Sequence, residues 1–462
     1  MIRAYVGSGG KTTLIKKTAE DCRRQGLRVL VTTSTHMRAE AEAILSCEAE
    51  EIIRALDEKG YAMAGCDLGE KMGPLPPQVY QAACAHADMV LVEADGSRHL
   101  PIKFPNTTEP VIDENVEEIV VVCGLHALGK PLGRVAHRKE LVISCLGAAE
   151  DTIITPEHVQ KLVTQGYLIP LREKYPGRRV SVHATHDGSL YQRAVAGLLE
   201  AEADVGMIRA EWFALQPELV ICGAGHVAHE VAQMAAMLDL RVRVIDDRPE
   251  FANRERFPLA ADVICDSFEN IAQHLVPDAF YTVLTRGHKE DFRCVKAILR
   301  SRYRYLGMIG SRYKVGATME RLRGEGFAQE ELERIFAPIG LAIGAKTPAE
   351  IAVSILAQVI QEKNKAFSSC VTREMSASRE PGMLLVIIDK QGSAPRGVGS
   401  MMLVTKDGSM GSVGGGASEY AALCEAREGG GVRIRDYQLN SAQSAQEGMI
   451  CGGSCRVLFI PV

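Results

Sequence analysis

The stretch AYVGSGGKTT, beginning at Ala4, constrains the fold most, because a short apolar run breaks at Gly7, Gly9 and Gly10 and passes straight into an apolar-periodic segment that Gly26 terminates. Strand, glycine-rich turn and helix in that order form the phosphate-loop arrangement G-x-x-x-x-G-K-[ST]. Tyr5 stands where the pattern has its first glycine. On the loop alone, a phosphate cradle and a tight strand-to-helix turn that binds nothing are equally good readings.

Context favours the cradle. LRVLVTTSTH reads as a second buried strand, and DMVLVEADGS as an apolar strand that delivers Glu93 and Asp95 at its carboxyl end, where carboxylates of a nucleotide site lie. Backbone N–H groups of Gly7, Ser8, Gly9 and Gly10 are then candidates for phosphate, with Lys11 as a point charge and Thr12 and Thr13 at the helix start. Thr12 and Asp95, with Glu93 as the alternative carboxylate, are candidates for Mg²⁺ beside ATP or GTP. The motif admits NTPase activity without establishing it.

VGSGGKTT, TTSTH, VEADGSRHLPIKFPNTTEPVI and VCGLHALGKPLGRVAHRKE resemble the YqeC family of selenium-dependent molybdenum hydroxylase accessory proteins, from residue 1 to about 200. The resemblance implies a P-loop NTPase-like domain over 1–205 and a role in maturing a molybdenum enzyme. His126, His137 and Arg138 lie in the matching stretch and are weighed as substrate contacts against ordinary surface residues.

Further on, LQPELVICGAGHVAHEVAQMAAMLDLRVRVIDDRPEF contains strand, glycine turn, helix and second strand, one βαβ unit of a Rossmann-like doubly wound parallel sheet expected over 206–365. Gly223 makes the turn, Gly225 lets backbone approach a phosphate, His226 follows, and Ala228 replaces the third glycine. Asp246 ends the second strand, where an acidic residue can hold a ribose hydroxyl, so bound NAD is one possibility. FYTVLTRGHKED presents Thr285, Arg286, His288 and Asp291 at a strand end, and YRYLGMIGSRYK presents Ser311, Arg312 and Lys314. His288 reads as a general acid or as a structural histidine, while Arg312 and Lys314 suit an anion. Thr347, Pro348 and Glu350 make a capping box before a long apolar helix. These motifs resemble the C-terminal Rossmann-like domain of the XdhC/CoxI family over about 215–362.

Residues 366–381 are polar and weakly patterned, expected as a linker, and 382–462 alternate short strands with Gly-Ser turns, expected as a small α+β domain. Gly414, Gly415 and Gly416 precede a helix, a nest of N–H groups suited to an anion. Cys451 sits in a second glycine-rich turn beside Cys455. GSAPRGVG with Arg396, the DG turn, VGGGASE and GMICGG resemble the N-terminal half of the XdhC/CoxI family, here placed after its usual successor. That resemblance implies binding of molybdenum cofactor, protection of its terminal sulfur, and transfer to a xanthine dehydrogenase-type apoenzyme. Loops 223–226 and 414–416 would hold the pterin phosphate, and the Cys451 thiolate would suit molybdenum–sulfur chemistry, although a single cysteine reads equally as a small buried hydrophobe.

Size and charge restrict the alternatives. At 462 residues the chain exceeds one ordinary core, and a formal charge of −5 gives no electrostatic reason to expect nucleic acid or an anionic membrane. Thirteen cysteines without repeated C-x-x-C spacing read as reduced thiols, and no signal-peptide pattern or membrane-length apolar run is present, so a cytoplasmic protein is expected. The sequence thus predicts a three-domain accessory factor that carries molybdopterin. Its expected partners are a molybdenum hydroxylase apoenzyme, a sulfur or selenium donor protein and a second copy of itself. An NAD-dependent oxidoreductase using His288, and a pterin kinase or nucleotidyl transferase, are the alternatives.

Overall fold

The computed structural model describes residues 1–96, 100–215, 218–366, 371–392, 396–438 and 453–462. They form two compact units, Met1–Arg209 with Ala377–Val462, and Ala210–Ser376.

A six-stranded, wholly parallel sheet organises the first unit, in the order Arg179–Thr185, Glu118–Gly124, Ile2–Gly7, Met89–Glu93, Val29–Thr33, Tyr61–Met63. Its inner strands Met89–Glu93 and Glu118–Gly124 are buried at every position, as a sheet covered on both faces requires. Helix Lys11–Arg24 covers one face, setting Ile15 and Ala19 against Val31, Leu91 and Val122. Helices Ala49–Lys59 and Pro77–His86 cover the other, setting Ile52, Leu56 and Ala83 against Leu30, Val90 and Val92. From Ile2–Gly7 the chain runs toward Val29–Thr33, whereas from Glu118–Gly124 it runs toward Arg179–Thr185. The topological switch point therefore lies between these two neighbouring strands, and the glycine-rich loop leaves the sheet there.

The carboxyl-terminal segment of the same unit is a five-stranded antiparallel sheet in the order Gly408–Gly411, Met401–Thr405, Gly382–Gly392, Gly453–Pro461, Arg433–Gln438. Helix Gly416–Arg427 packs Ala422 and Ala426 onto it. Helix Leu190–Glu200 joins the two sheets. Buried Arg193 donates to the carbonyls of Ser378 and Glu380 at 3.0 and 2.5 Å, and a Cβ at Gly197 would stand 2.4 Å from the Pro461 carbonyl oxygen.

The second unit holds five parallel strands in the order Asp262–Cys265, Arg241–Asp246, Glu218–Cys222, Ala279–Val283, Tyr303–Met308. This is the 3-2-1-4-5 order of a Rossmann-like sheet. Helices His226–Met237 and Pro348–Ala366 cover one face and His288–Leu299 the other. The capping box forms as expected: Glu350 N–H donates to Thr347 Oγ1 at 3.3 Å, and Thr347 N–H to Glu350 Oε2 at 3.1 Å. Within the expected linker, Arg373–Ala377 is a short helix with Met375 fully buried. Among the described residues no helix is long and apolar enough to cross a membrane.

Candidate functional site

Tyr5 resolves the anomaly in the glycine pattern. It belongs to the strand, is 1% exposed among Ile15 and Ala19, and donates its hydroxyl to Thr18 Oγ1 at 3.2 Å. The turn starts two residues later. Gly7 has φ 88°, and a Cβ there would lie 2.1 Å from the Val122 carbonyl oxygen, so only glycine fits. At Gly9, φ is 85° and a Cβ would meet the Gly124 backbone at 2.6 Å, while the Thr185 hydroxyl donates to the Gly9 carbonyl. Among the described residues, the N–H groups of Gly9, Gly10, Lys11, Thr12 and Thr13 make no hydrogen bond. Together they form a row of donors at the start of a 14-residue helix, where the helix dipole also favours an anion.

Beneath the loop lies a chain of buried charges. Lys11 Nζ donates to the Gly7 carbonyl at 2.7 Å and pairs with Asp95 Oδ1 at 2.9 Å. The other Asp95 oxygen accepts Gly7 N–H at 2.9 Å and the Tyr167 hydroxyl at 3.3 Å, and pairs with Lys103 Nζ at 2.8 Å. Lys103 continues to Glu109 Oε2 at 3.1 Å, which Arg138 also reaches at 2.9 Å. Burial raises the Tyr167 phenol, and the neighbouring Asp95 raises it further. At Glu109 burial works in the same direction, but Arg138 and Lys103 outweigh it and hold the carboxyl below its ordinary value.

Thr12 selects the other carboxylate. Its hydroxyl donates to Glu93 Oε2 at 3.0 Å, whereas Asp95 is engaged by the two lysines, Gly7 and Tyr167. Glu93, not Asp95, is therefore the carboxylate that meets Thr12. Lys103, Glu109 and Tyr167 escape a reading of motifs, because each joins the site through space and none lies in the loop pattern.

A cleft of about 1260 Å³ opens over the loop, lined by Lys11, Thr12, Thr13 and Glu93, by segment 35–41, by Lys71 and by segment 136–140. His137 and Arg138 thus enter its wall. His126 does not line it, and burial, then Lys130, lower its imidazole pKa.

In the second unit the glycine turn is tight. Gly223 has φ 110°, and a Cβ would stand 2.4 Å from the Leu284 carbonyl oxygen; Gly225 has ordinary φ −70° with nothing within 4 Å of a built Cβ. Ala228 is buried in the helix–sheet contact, while His226 and His288 are exposed first residues of their helices. Asp246 does not face an open crevice. One oxygen accepts Ala224 N–H at 2.7 Å and Arg248 Nη2 at 2.9 Å, the other Arg248 N–H and Nε at 3.0 and 2.8 Å. Burial would raise this carboxyl, but these donors lower it on balance. Lys314 pairs with buried Asp291, which also receives the Thr285 hydroxyl at 2.5 Å, so the lysine expected to grip an anion is tied to an internal carboxylate. Burial raises Asp291 despite Lys314 and Thr285. Ser311 caps the following helix by accepting Lys314 N–H at 3.3 Å, Arg312 is exposed beside it, and Arg286 reaches Asp247 at 3.2 Å.

The third glycine turn already holds a carboxylate of its own. Gly414 and Gly416 have φ 157° and 65°, and Gly415 is extended. Glu419 Oε2 accepts Val413 N–H at 3.0 Å and the Ser412 hydroxyl at 2.6 Å. Arg396 is exposed. Cys455 is buried in the strand Gly453–Pro461, and burial raises its thiol. Cys451 lies outside the described residues. Among the described residues no group of three or more His, Cys, Asp or Glu side chains is placed to hold a metal ion.

These features define a multidomain α/β protein with parallel sheets and a Rossmann-like domain. Residues 3–140 match the YqeC protein family, 219–359 the XdhC Rossmann domain and 375–438 the XdhC and CoxI family, so the chain carries a YqeC domain followed by the two XdhC/CoxI parts in swapped order. It is 36% identical over 187 residues to the uncharacterized protein YqeB of Escherichia coli (strain K12), covering 40% of this chain and 34% of that one. It is 32% identical over 135 residues to the uncharacterized protein YqeC of the same organism, covering 27% and 52%. A relative from Bacillus subtilis (strain 168), described as a probable xanthine dehydrogenase component, is 29% identical over 152 residues, covering 32% and 44%. The chain thus spans between a third and about half of the length of these relatives.

Proposed function

We propose that the protein is an accessory factor in the maturation of a molybdenum hydroxylase of the xanthine dehydrogenase type, which binds ATP or GTP with Mg²⁺ at Gly7–Thr13 and carries molybdopterin on its XdhC-type parts. The observation that carries the nucleotide half is the row of unbonded N–H groups from Gly9 to Thr13 around Lys11. Phosphate oxygens would take these donors and draw Lys11 from Asp95, whose charge Lys103 still balances. Thr12 and Glu93 supply oxygen donors of the kind Mg²⁺ requires. The accessory role is supported by the three family matches and by the relative described as a xanthine dehydrogenase component.

For the cargo, Gly225 leaves open backbone at the start of helix His226–Met237, where a pterin phosphate would sit. At 414–416 an incoming anion would compete with Glu419. The Cys451 thiolate would serve the molybdenum centre. An NAD-dependent oxidoreductase finds less support, because both Asp246 oxygens already accept from Ala224 and Arg248.

Calorimetric titration of wild type and Lys11→Ala with Mg-ATP and Mg-GTP tests the nucleotide site: binding should be lost in the variant, and equal affinity would sink the phosphate-loop reading. Anaerobic purification followed by metal analysis and pterin mass spectrometry tests the cargo, which should fall in Cys451→Ala. Purified protein devoid of pterin when produced with molybdate and its hydroxylase would count against the carrier role.

A further inference from the structure

One wall of the cleft carries a charge arrangement that works against the fold. Met37–Arg38 pairs antiparallel with Lys71–Gly73, so that Met37 faces Met72 and Arg38 stands directly opposite Lys71. The two-residue alternation of a strand sends Met37 and Met72, 2% and 0% exposed, into the core. Arg38 and Lys71 consequently share the other face, and both line the cleft above Lys11. Like charges directly opposite one another in a sheet are destabilising.

No carboxylate among the described residues pairs with either of them. Of the four acidic side chains lining the cleft, Glu40 pairs with Lys16 at 2.5 Å, Glu109 with Lys103 and Arg138, Glu93 receives Thr12, and Glu140 forms no ion pair with either cation. Arg38 and Lys71 form no ion pair among the described residues. Space points the same way. Small-molecule sites usually occupy roughly 300–1,000 Å³, and this cleft, at about 1260 Å³, lies above that range.

We propose that Arg38 and Lys71 form a second anion subsite, holding the phosphate group of a small phosphorylated ligand that occupies the cleft together with the nucleotide. A planar, forked guanidinium and an ammonium side by side match a phosphate's several oxygens, and such an anion removes their mutual repulsion. The identity of the first ligand rests on the phosphate-loop reading; the charge pair itself does not.

The test uses the full chain and inorganic pyrophosphate as probe, titrated calorimetrically in low salt. Lys11→Ala, which removes the loop's own cation, should still bind pyrophosphate, and adding Arg38→Gln and Lys71→Gln should weaken that binding by about tenfold or more. Arg38→Gln/Lys71→Gln on the wild-type background should leave affinity for a non-hydrolysable Mg-ATP analogue within about twofold, with pyrophosphate still binding the analogue-saturated wild type. Equal pyrophosphate affinity with and without the two cations overturns the subsite. A matching loss of analogue affinity also overturns it, by assigning the pair to the nucleotide's own phosphates. If the wild type binds no nucleotide, the phosphate-loop reading fails alone, and the pyrophosphate comparison in Lys11→Ala still decides the subsite.

Discussion

Lys11 and Asp95 form an ion pair sealed from solvent, Nζ to Oδ1 at 2.9 Å with side chains 3% and 0% exposed. The same carboxylate balances Lys103, itself fully buried, so one anion serves two interior cations. Removing one partner of a buried pair costs about 3–5 kcal/mol, because the charge left behind is desolvated without compensation. Asp95→Ala should therefore destabilise the first unit by that amount in urea unfolding. A loss below about 1 kcal/mol would show that Glu109 alone can hold Lys103 and that Lys11 reaches water.

Thr12 and Glu93 lead to a narrower expectation. With the Thr12 hydroxyl 3.0 Å from Glu93, Thr12→Ala removes an oxygen donor without touching the loop's N–H groups. Nucleotide affinity measured in EDTA should stay within about twofold, while the gain produced by Mg²⁺ should largely disappear. An undiminished Mg²⁺ effect would remove Thr12 from the metal's surroundings.

The two glycines of the second unit should separate fold from ligand. Gly223 combines φ 110° with a 2.4 Å approach to the Leu284 carbonyl, so Gly223→Ala should cost about 1–3 kcal/mol or more. Gly225 has an ordinary φ and open space, so Gly225→Ala should leave stability within about 0.5 kcal/mol while obstructing a bound phosphate. Thermal unfolding of both variants, with pterin content of the purified Gly225→Ala protein, checks the contrast.

Relieving the repulsion between Arg38 and Lys71 should stabilise the ligand-free protein. Cross-strand pairs are worth roughly 0.2–1 kcal/mol, so Arg38→Gln should raise the unfolding midpoint slightly in low salt, and the gain should shrink as salt screens the charges. A lowered midpoint at every salt concentration would mean that Arg38 has a stabilising partner.

Asp291 sets the sign of a pH effect. Burial lifts its carboxyl above the ordinary 3.8 in spite of Lys314 and Thr285, so the folded chain keeps this proton to higher pH than the unfolded chain. Its contribution is complete below the unfolded value and is lost as pH rises through the raised one. The stability of wild type minus that of Asp291→Asn should accordingly decline from about pH 4 upward and then level off. A difference that grows with pH would contradict the shift.

Much of this protein is legible in its residues alone. Apolar runs ending in Gly7-Ser8-Gly9-Gly10 and Gly223-Ala224-Gly225, the capping box at Thr347 and Glu350, and the order of three family-like segments are written in neighbouring positions. Strand alternation, helix periodicity, capping and turn preference act over a few residues, so a linear reading recovers them. Partner choice among charges does not work that way. Glu93 and Asp95 are both acidic and leave one strand end, yet only Glu93 meets Thr12, while Asp95 meets Lys103 and Tyr167. Asp246 turns to Ala224 and Arg248, Lys314 to Asp291, and Arg38 comes to face Lys71. Local pattern determined the elements and the glycine turns; the tertiary fold decided which charges meet, because that depends on distance and desolvation between segments far apart in sequence.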